Sequence, residues 1–323
     1  MSASEFQLIN KFFAKQNQNR DDVIIGIGDD CAILRPKPNE LLAVSIDTSV
    51  EGVHFPVNTP AQCIGHKTLA VSLSDMAAMG ADPQWVTLAI TLPTADESWI
   101  ANYCQGFFNL ANRYNVQLVG GDLSKGNLTI TTQLHGSIPQ EDILKRSGAN
   151  IGDLIYVTGT IGAAGLGLLI KQQSINIPSE LKEETPNYIH KLECPEPRIE
   201  VGLALRGIAT AVIDVSDGLA ADLGHILKAS KVGAQINLEN LPVSKGFNLL
   251  KDQLNQWQHA LTAGDDYELC FTAPVSHQEK IAAIAIKTHT PINQIGIITE
   301  STSLQCVDNG ELISLELKGF EHF

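Results

Sequence analysis

Residues 154–170 read LIYVTGTIGAAGLGLLI, seventeen residues without a charge. The fold class turns on how this stretch is read. As one continuous helix it would approach a membrane span, but a span needs about 20 apolar residues. It also carries four glycines, at 159, 162, 165 and 167. Glycine is a poor helix former and a ready turn former. The run therefore divides into a buried strand (154–158), a turn, and a helix from 162 to 171, and no membrane-bound reading is kept. The glycines are placed for close helix–strand packing.

Outward from this unit, strand-like and helix-like runs alternate, which is the pattern of an α/β or α+β protein. Strands are expected at 23–27, 41–46, 85–91, 116–119, 128–137, 154–158, 211–215, 233–238, 267–273 and 295–298. Helices are expected at 5–15, 60–79, 96–114, 162–171, 197–207, 219–230 and 276–287. Ser4 and Gln7 form a capping box for the first helix, on which Phe6, Ile9 and Phe13 share a face. Residues 172–196, with their Pro and Glu, read as an irregular excursion. The glycine-containing connector RSGANIGD (146–153) divides the chain into two domains, 1–148 and 149–323.

The 323 residues carry 22 Lys and Arg against 36 Asp and Glu, a net charge of −14. A surface for nucleic acid or an anionic membrane needs the opposite balance. A nucleotide ligand stays open if cations accompany it. The six cysteines are scattered with no C-x-x-C pair, which argues against a zinc cluster and for free thiols in a reducing cytoplasm. The first residues, MSASEFQLINKFF, lack the basic and apolar regions of a signal peptide.

The distribution of aspartates carries the chemistry. Asp29 and Asp30 end VIIGIGDD, Asp47 follows LLAVSI, Asp122 follows VQLVGG, and Asp214 and Asp217 lie in IDVSDG. One aspartate after a strand is an ordinary turn or cap residue; four strand ends that each deliver a carboxylate point to a shared task. Asp75 lies inside the helix 60–79 on a face with Val71, Ala78 and Met79, where an unpaired carboxylate is costly. General acid–base chemistry needs two carboxylates. Several converging ones suit hard divalent cations, which take oxygen ligands and in turn bind phosphate. Phosphoryl transfer is the reaction that depends most on such neutralisation and positioning.

Walker A and protein-kinase signatures are missing from the sequence. GTIGAAGLG has the wrong spacing for a dinucleotide loop and no acidic residue at the expected distance. IDVSDG is a better candidate: the Ser216 hydroxyl and nearby amides can hold a phosphate or cap the following helix. GGD (120–122) lets backbone approach a ligand, and Arg146 can clamp a phosphate or lie solvated.

Taken in order, GIGDDCA, SIDTSVEGVHF, SLSDMAAMGADP, LVGGD, RSGA, VTGTIG, IDVSDGLAADL and DDYELCF resemble the thiamine-monophosphate kinase family, within the aminoimidazole-ribonucleotide synthetase-like superfamily. The resemblance runs from about residue 24 to the closing KGFEHF. It implies a two-domain α/β (α+β) fold. The N-terminal metal- and ATP-binding domain would pair its sheet across a homodimer into a barrel, followed by a C-terminal α/β domain. It implies direct in-line transfer from ATP to thiamine monophosphate, giving thiamine diphosphate, with several Mg2+ ions and no phosphoenzyme. By resemblance Asp30, Ser45, the Ile46 backbone, Asp47, Asp75, Asp122, Asp214 and Asp217 are metal ligands. Gly121, Asp122, Arg146 and Ser216 contact ATP, and His54, Asp265 and Phe320 lie at the thiamine phosphate. No general base is assigned, because the attacking phosphate is already ionised. The thiazolium cation suits an aromatic face and a carboxylate. The chain departs from the family pattern at Asp265, where Glu is usual, and at Leu123, where Thr is common.

Two other classes stand beside this one. A superfamily synthetase or maturation enzyme would want a reactive cysteine near one terminus, and none is found in the first 30 residues or at the closing Phe323. A binding module for metal or nucleotide would bind without turnover.

Overall fold

The computed structural model describes residues 4–14, 19–250 and 253–320, apart from the side chains of Asn248 and Gln256. The chain divides into two compact units. The first comprises residues 1–76 and 81–141, the second 77–80 and 142–323.

The first unit opens with one helical turn, α1 (Glu5–Leu8), continued as a wider π-type turn over Ile9–Phe13. The capping box forms: Gln7 N–H donates to the Ser4 hydroxyl and Ser4 N–H to the Gln7 side chain. The wide turn changes the inward set. Leu8 and Phe13, five residues apart, are buried, whereas Phe6 is exposed. Lys15, the last residue of the expected helix, lies outside the described residues.

A small antiparallel pair, β1 (Val23–Ile25) and β2 (Ile33–Leu34), precedes a four-stranded mixed sheet. Its strands are β3 (Leu41–Val50), β4 (Asp82–Leu92), β5 (Gln117–Lys125) and β6 (Thr129–Ile138), in the order β3-β6-β4-β5. Helices α2 (Ala61–Met79) and α3 (Glu97–Arg113) accompany it. They touch backbone to backbone at two glycines. A Cβ on Gly65 would stand 2.0 Å from the Tyr103 carbonyl oxygen, and one on Gly106 1.8 Å from that of Gln62. Trp85, Tyr103, Phe107 and Leu118 fill the core, each burial contributing about 2 kcal/mol. Along β3 the odd residues Ala43, Ser45, Asp47 and Ser49 are partly or fully buried, and the even residues Leu42, Val44 and Ile46 are exposed. That alternation is the period-2 signature of a strand with one covered face.

In the second unit a seven-stranded sheet has the order β13-β12-β9-β11-β7-β10-β8. The strands are β7 (Leu154–Thr158), β8 (Ala211–Val215), β9 (Gly233–Asn237), β10 (Glu268–Ala273), β11 (Ile292–Thr299), β12 (Leu304–Asp308) and β13 (Glu311–Ile313). The helices are α4 (Ala163–Lys171), α5 (Thr185–Glu193), α6 (Ile199–Ala204), α7 (Leu219–Ser230), α8 (Lys245–Leu249), α9 (Gln256–Thr262) and α10 (Gln278–Thr288). All neighbouring strands are antiparallel except β9 and β12. The uncharged run 154–170 folds as β7, a turn and the body of α4, as its glycines require. A Cβ would stand 1.8 Å from Glu268 at Gly159, 2.9 Å from Ala260 at Gly162, 2.4 Å from Ala263 at Gly165 and 2.2 Å from the Tyr188 carbonyl at Gly167. Among the described residues no helix is long and apolar enough to cross a membrane.

The excursion expected over 172–196 is half helix. Pro186 stands in the first turn of α5, where its missing N–H costs nothing. Tyr188 is then buried with Leu166, Leu181 and Phe247.

Candidate functional site

In the first unit β3 and α2 bring two carboxylates together. Ser45 and Asp47, two apart on β3, share its covered face. Ser72 and Asp75, three apart on α2, share a helix face. The Ser72 hydroxyl donates to Asp47 at 2.6 Å and stands 2.8 Å from that of Thr132. The Ser45 hydroxyl donates to Asp75. Burial, and then the negative charge of Asp75, push the Asp47 carboxyl up to about 6. The cluster is all oxygen, part-buried and electrostatically unfavourable to itself, a donor chemistry that fits a hard divalent cation. Of the helix face expected for Asp75, Val71 and Ala78 are buried, but Met79 is 41% exposed at the end of the helix. The Ile46 side chain points the other way and is 63% exposed, leaving its backbone between Ser45 and Asp47.

The other first-unit residues are spread out. Asp29 and Asp30 are exposed. Asp29 accepts the Asp30 N–H at 2.9 Å, so one of its oxygens shapes the loop. Asp122 is exposed on β5 and accepts from the Ser124 hydroxyl at 2.6 Å. The register runs Asp47, Thr132, Leu88, Gly121 across the sheet. Asp122 therefore stands about three strand spacings, roughly 14 Å, from Asp47. Among the described residues no group of three or more His, Cys, Asp or Glu is gathered as a preformed metal cluster. The glycine reading of GGD changes: a Cβ on Gly121 would stand 1.9 Å from the Leu88 carbonyl oxygen, so that glycine is required by the neighbouring strand. The His54 Nδ1 accepts the Val50 N–H at 3.0 Å, within the turn that ends β3.

In the second unit three segments meet after β8. The Asp265 N–H donates to the Ser216 carbonyl at 2.8 Å, and the Phe320 N–H donates to the Asp217 carbonyl at 3.1 Å. Ser216, Asp217, Asp265 and Phe320, far apart in sequence, are thus joined through the backbone. The Phe320 ring is half exposed. Asp214 is buried within β8. Arg146 is exposed, and the preceding Lys145 carbonyl accepts the Val212 N–H of β8 at 2.8 Å.

The expected use of loop amides for phosphate is overturned at two positions. The Ser216 and Asp217 N–H groups both donate to Asp222, at 3.0 and 3.1 Å. Burial, and then the charge of Asp217, raise the Asp222 carboxyl to about 7. Asp266 plays a similar part beside Asp265. It accepts the Gly162 and Ala164 N–H groups at 2.6 and 3.2 Å, and burial raises it to about 8. Glu268 is buried in the Arg198 fork, with both bonds at 2.6 Å, and takes the Thr158 hydroxyl at 2.6 Å. Sequence reasoning missed Ser72, Asp222, Asp266 and Arg198. Ser72 alone carried a usable signal, its three-residue spacing from Asp75.

Two family models match the chain: AIR synthase related protein, N-terminal domain, over residues 28–138, and the corresponding C-terminal domain over residues 150–309. The thiamine-monophosphate kinase of Buchnera aphidicola subsp. Acyrthosiphon pisum is 44% identical over 326 residues, covering 100% of both chains. The crystal structure of thiamine-monophosphate kinase from Stenotrophomonas maltophilia K279a is 42% identical with a TM-score of 0.87, covering 97% of this chain and 99% of that one. AaThiL, solved in complex with AMPPCP and TMP, is 30% identical with a TM-score of 0.76 over 92% of each chain. Full-length identity at this level, together with the two matching domain models, places the chain in the thiamine-monophosphate kinase family of enzymes, within the AIR synthase related proteins.

Proposed function

We propose that this chain transfers the γ-phosphoryl group of ATP to thiamine monophosphate, releasing ADP and thiamine diphosphate. The observation that carries this reading is the full-length likeness to kinases named for that substrate, one relative having been solved with AMPPCP and TMP together. In this reading residues 1–148 form the metal, ATP and dimerisation domain and residues 149–323 the C-terminal α/β domain, in a cytoplasmic enzyme.

Asp30, Ser45, the Ile46 carbonyl, Asp47, Asp75, Asp122, Asp214 and Asp217 would hold magnesium. The like-charge pair Asp47 and Asp75, flanked by hydroxyls, is the feature that supports that set. The cations supply neutralisation of two approaching phosphates. Gly121, Asp122, Arg146 and Ser216 would bind the nucleotide, with the Arg146 guanidinium on phosphate oxygens. His54, Asp265 and Phe320 would hold the acceptor. A half-exposed aromatic ring and a carboxylate, brought to one loop through their backbone, suit the thiazolium cation. The acceptor phosphate is ionised near neutral pH, so no side chain need remove a proton. Transfer is then direct and in line, and catalysis lies in positioning.

The exposed apolar residues Leu42, Val44 and Ile46 on one face of β3 support a homodimer in which two such sheets close a barrel. Sedimentation of the purified chain should give twice its 34.8 kDa mass. Incubation with ATP, Mg2+ and thiamine monophosphate tests the reaction itself. Thiamine diphosphate should appear one for one with ADP. Folded protein that yields none refutes the proposal.

A further inference from the structure

The loop joining β8 to α7 has no free peptide N–H or C=O at its first two residues, Ser216 and Asp217. The Ser216 and Asp217 N–H groups go to a single oxygen, Oδ2 of Asp222. Their carbonyls accept from Asp265 and Phe320. Asp222 is 3% exposed, and its own N–H closes the turn on the Gly218 carbonyl at 3.0 Å. Gly218 is the N-cap of helix α7 and supplies no side-chain cap. A cap side chain cannot be placed there, because a Cβ on Gly218 would stand 2.8 Å from the Thr262 backbone. Asp222 takes over that task from inside the first turn and reaches back beyond the helix. An acidic residue serving only the helix dipole would face the amides of α7 itself. This one takes the amides of Ser216 and Asp217, whose side chains belong to the proposed site, with the backbone of the N-cap Gly218 beside them.

We propose that Asp222 is a positioning residue: by taking both amides it turns the 216–217 backbone inward and presents the Ser216 hydroxyl and the Asp217 carboxylate outward to the nucleotide and its cations. The proposal rests on the functional reading above. Asp265 and Phe320 hang from the same two peptide groups, so the loop also ties the acceptor side to the nucleotide side.

The test compares Asp222→Ala with Asp222→Asn. The Asn oxygen can accept both N–H groups, whereas Ala accepts neither. At a temperature where both remain folded, Ala should raise the KM for ATP and the half-saturating Mg2+ about ten-fold, and Asn should restore both to within about three-fold. Amide exchange at 216 and 217 should be slow in the wild type and the Asn variant and fast in the Ala variant. If the Ala variant does not fold, Asp222→Ser, too short to reach the amides, takes its place. A folded Ala or Ser variant with unchanged KM values overturns the proposal, as does an Asn variant as impaired as Ala. Should wild-type protein show no turnover, the functional reading falls by itself. The affinity of the same variants for a non-hydrolysable ATP analogue with Mg2+, by calorimetry, then decides the role of Asp222 separately.

Discussion

Asp47 and Asp75 face one another across β3 and α2, each accepting a serine hydroxyl, and the charge of Asp75 helps raise the Asp47 carboxyl to about 6. In the second unit Asp222 and Asp266 are each met by two main-chain N–H groups, and Glu268 by the Arg198 guanidinium. Asp47 lies within β3 and Asp75 within α2, whereas Asp222, Asp266 and Glu268 lie at or just before the start of a helix or strand. They differ in what completes them. A carboxylate satisfied by amides fixes the backbone that donates to it. A like-charge pair supported by hydroxyls keeps lone pairs for a cation and is held together at a cost to stability. Removing a carboxylate from the first set should abolish turnover without loss of stability. Disturbing the second should cost stability while turnover at saturating ATP and Mg2+ persists.

The largest effect is expected from Asp75→Asn and from Asp47→Asn. Each should lower turnover by about a thousand-fold or more while the melting temperature stays level or rises, because a like charge is removed. Near-normal turnover in either would erase the distinction between the two regions. Arg198→Ala tests the other side. It leaves Glu268 buried, which costs on the order of 3–5 kcal/mol, read as a fall in the denaturant midpoint. A loss below about 1 kcal/mol would mean that the pair is not part of the scaffold.

Asp266 gives a smaller effect, visible through pH. Its folded-state carboxyl is raised to about 8, chiefly by burial, above the ordinary value of about 4. Its contribution to stability is therefore complete below pH about 4 and is lost as pH rises through about 8. Asp266→Asn does not titrate, so its melting temperature should gain a few degrees on the wild type between pH 5.5 and 8.5. A constant gap would show that Asp266 is charged throughout. The least effect belongs to Glu97, outside both sets and paired with exposed Lys11. Lys11→Ala should change stability by less than about 0.5 kcal/mol and leave turnover alone. A larger loss would show that charge pairing in general, and not the two sets, governs this chain.

Much of this contrast was legible in the residues. The bounds of β7, β8 and α7 follow from apolar runs that end at Gly, Asp or Ser. The carboxylates that end such runs, Asp47 and Asp122 among them, mark themselves by position. Asp75 marks itself as a charge within an apolar helix. The scaffold carboxylates do not. Asp222 reads as an ordinary first-turn acid, and Asp266 as the neighbour of Asp265, until the chain folds back and brings amides to them. β13 has three exposed residues and so no alternation to read, and α5 was hidden by a proline that in fact starts it. The amides of Ser216 and Asp217 looked available for phosphate because nothing local shows that a residue five or six positions on takes them.

The central claim is that the first-unit carboxylates hold the cations that bring ATP and the acceptor together. Calorimetric titration of Mg2+ with a non-hydrolysable ATP analogue tests it most directly, on the wild type and on the Asp47→Asn, Asp75→Asn double variant. The account predicts Mg2+-dependent nucleotide binding that weakens about a hundred-fold or more in the folded double variant. Equal affinity in the two proteins would contradict it.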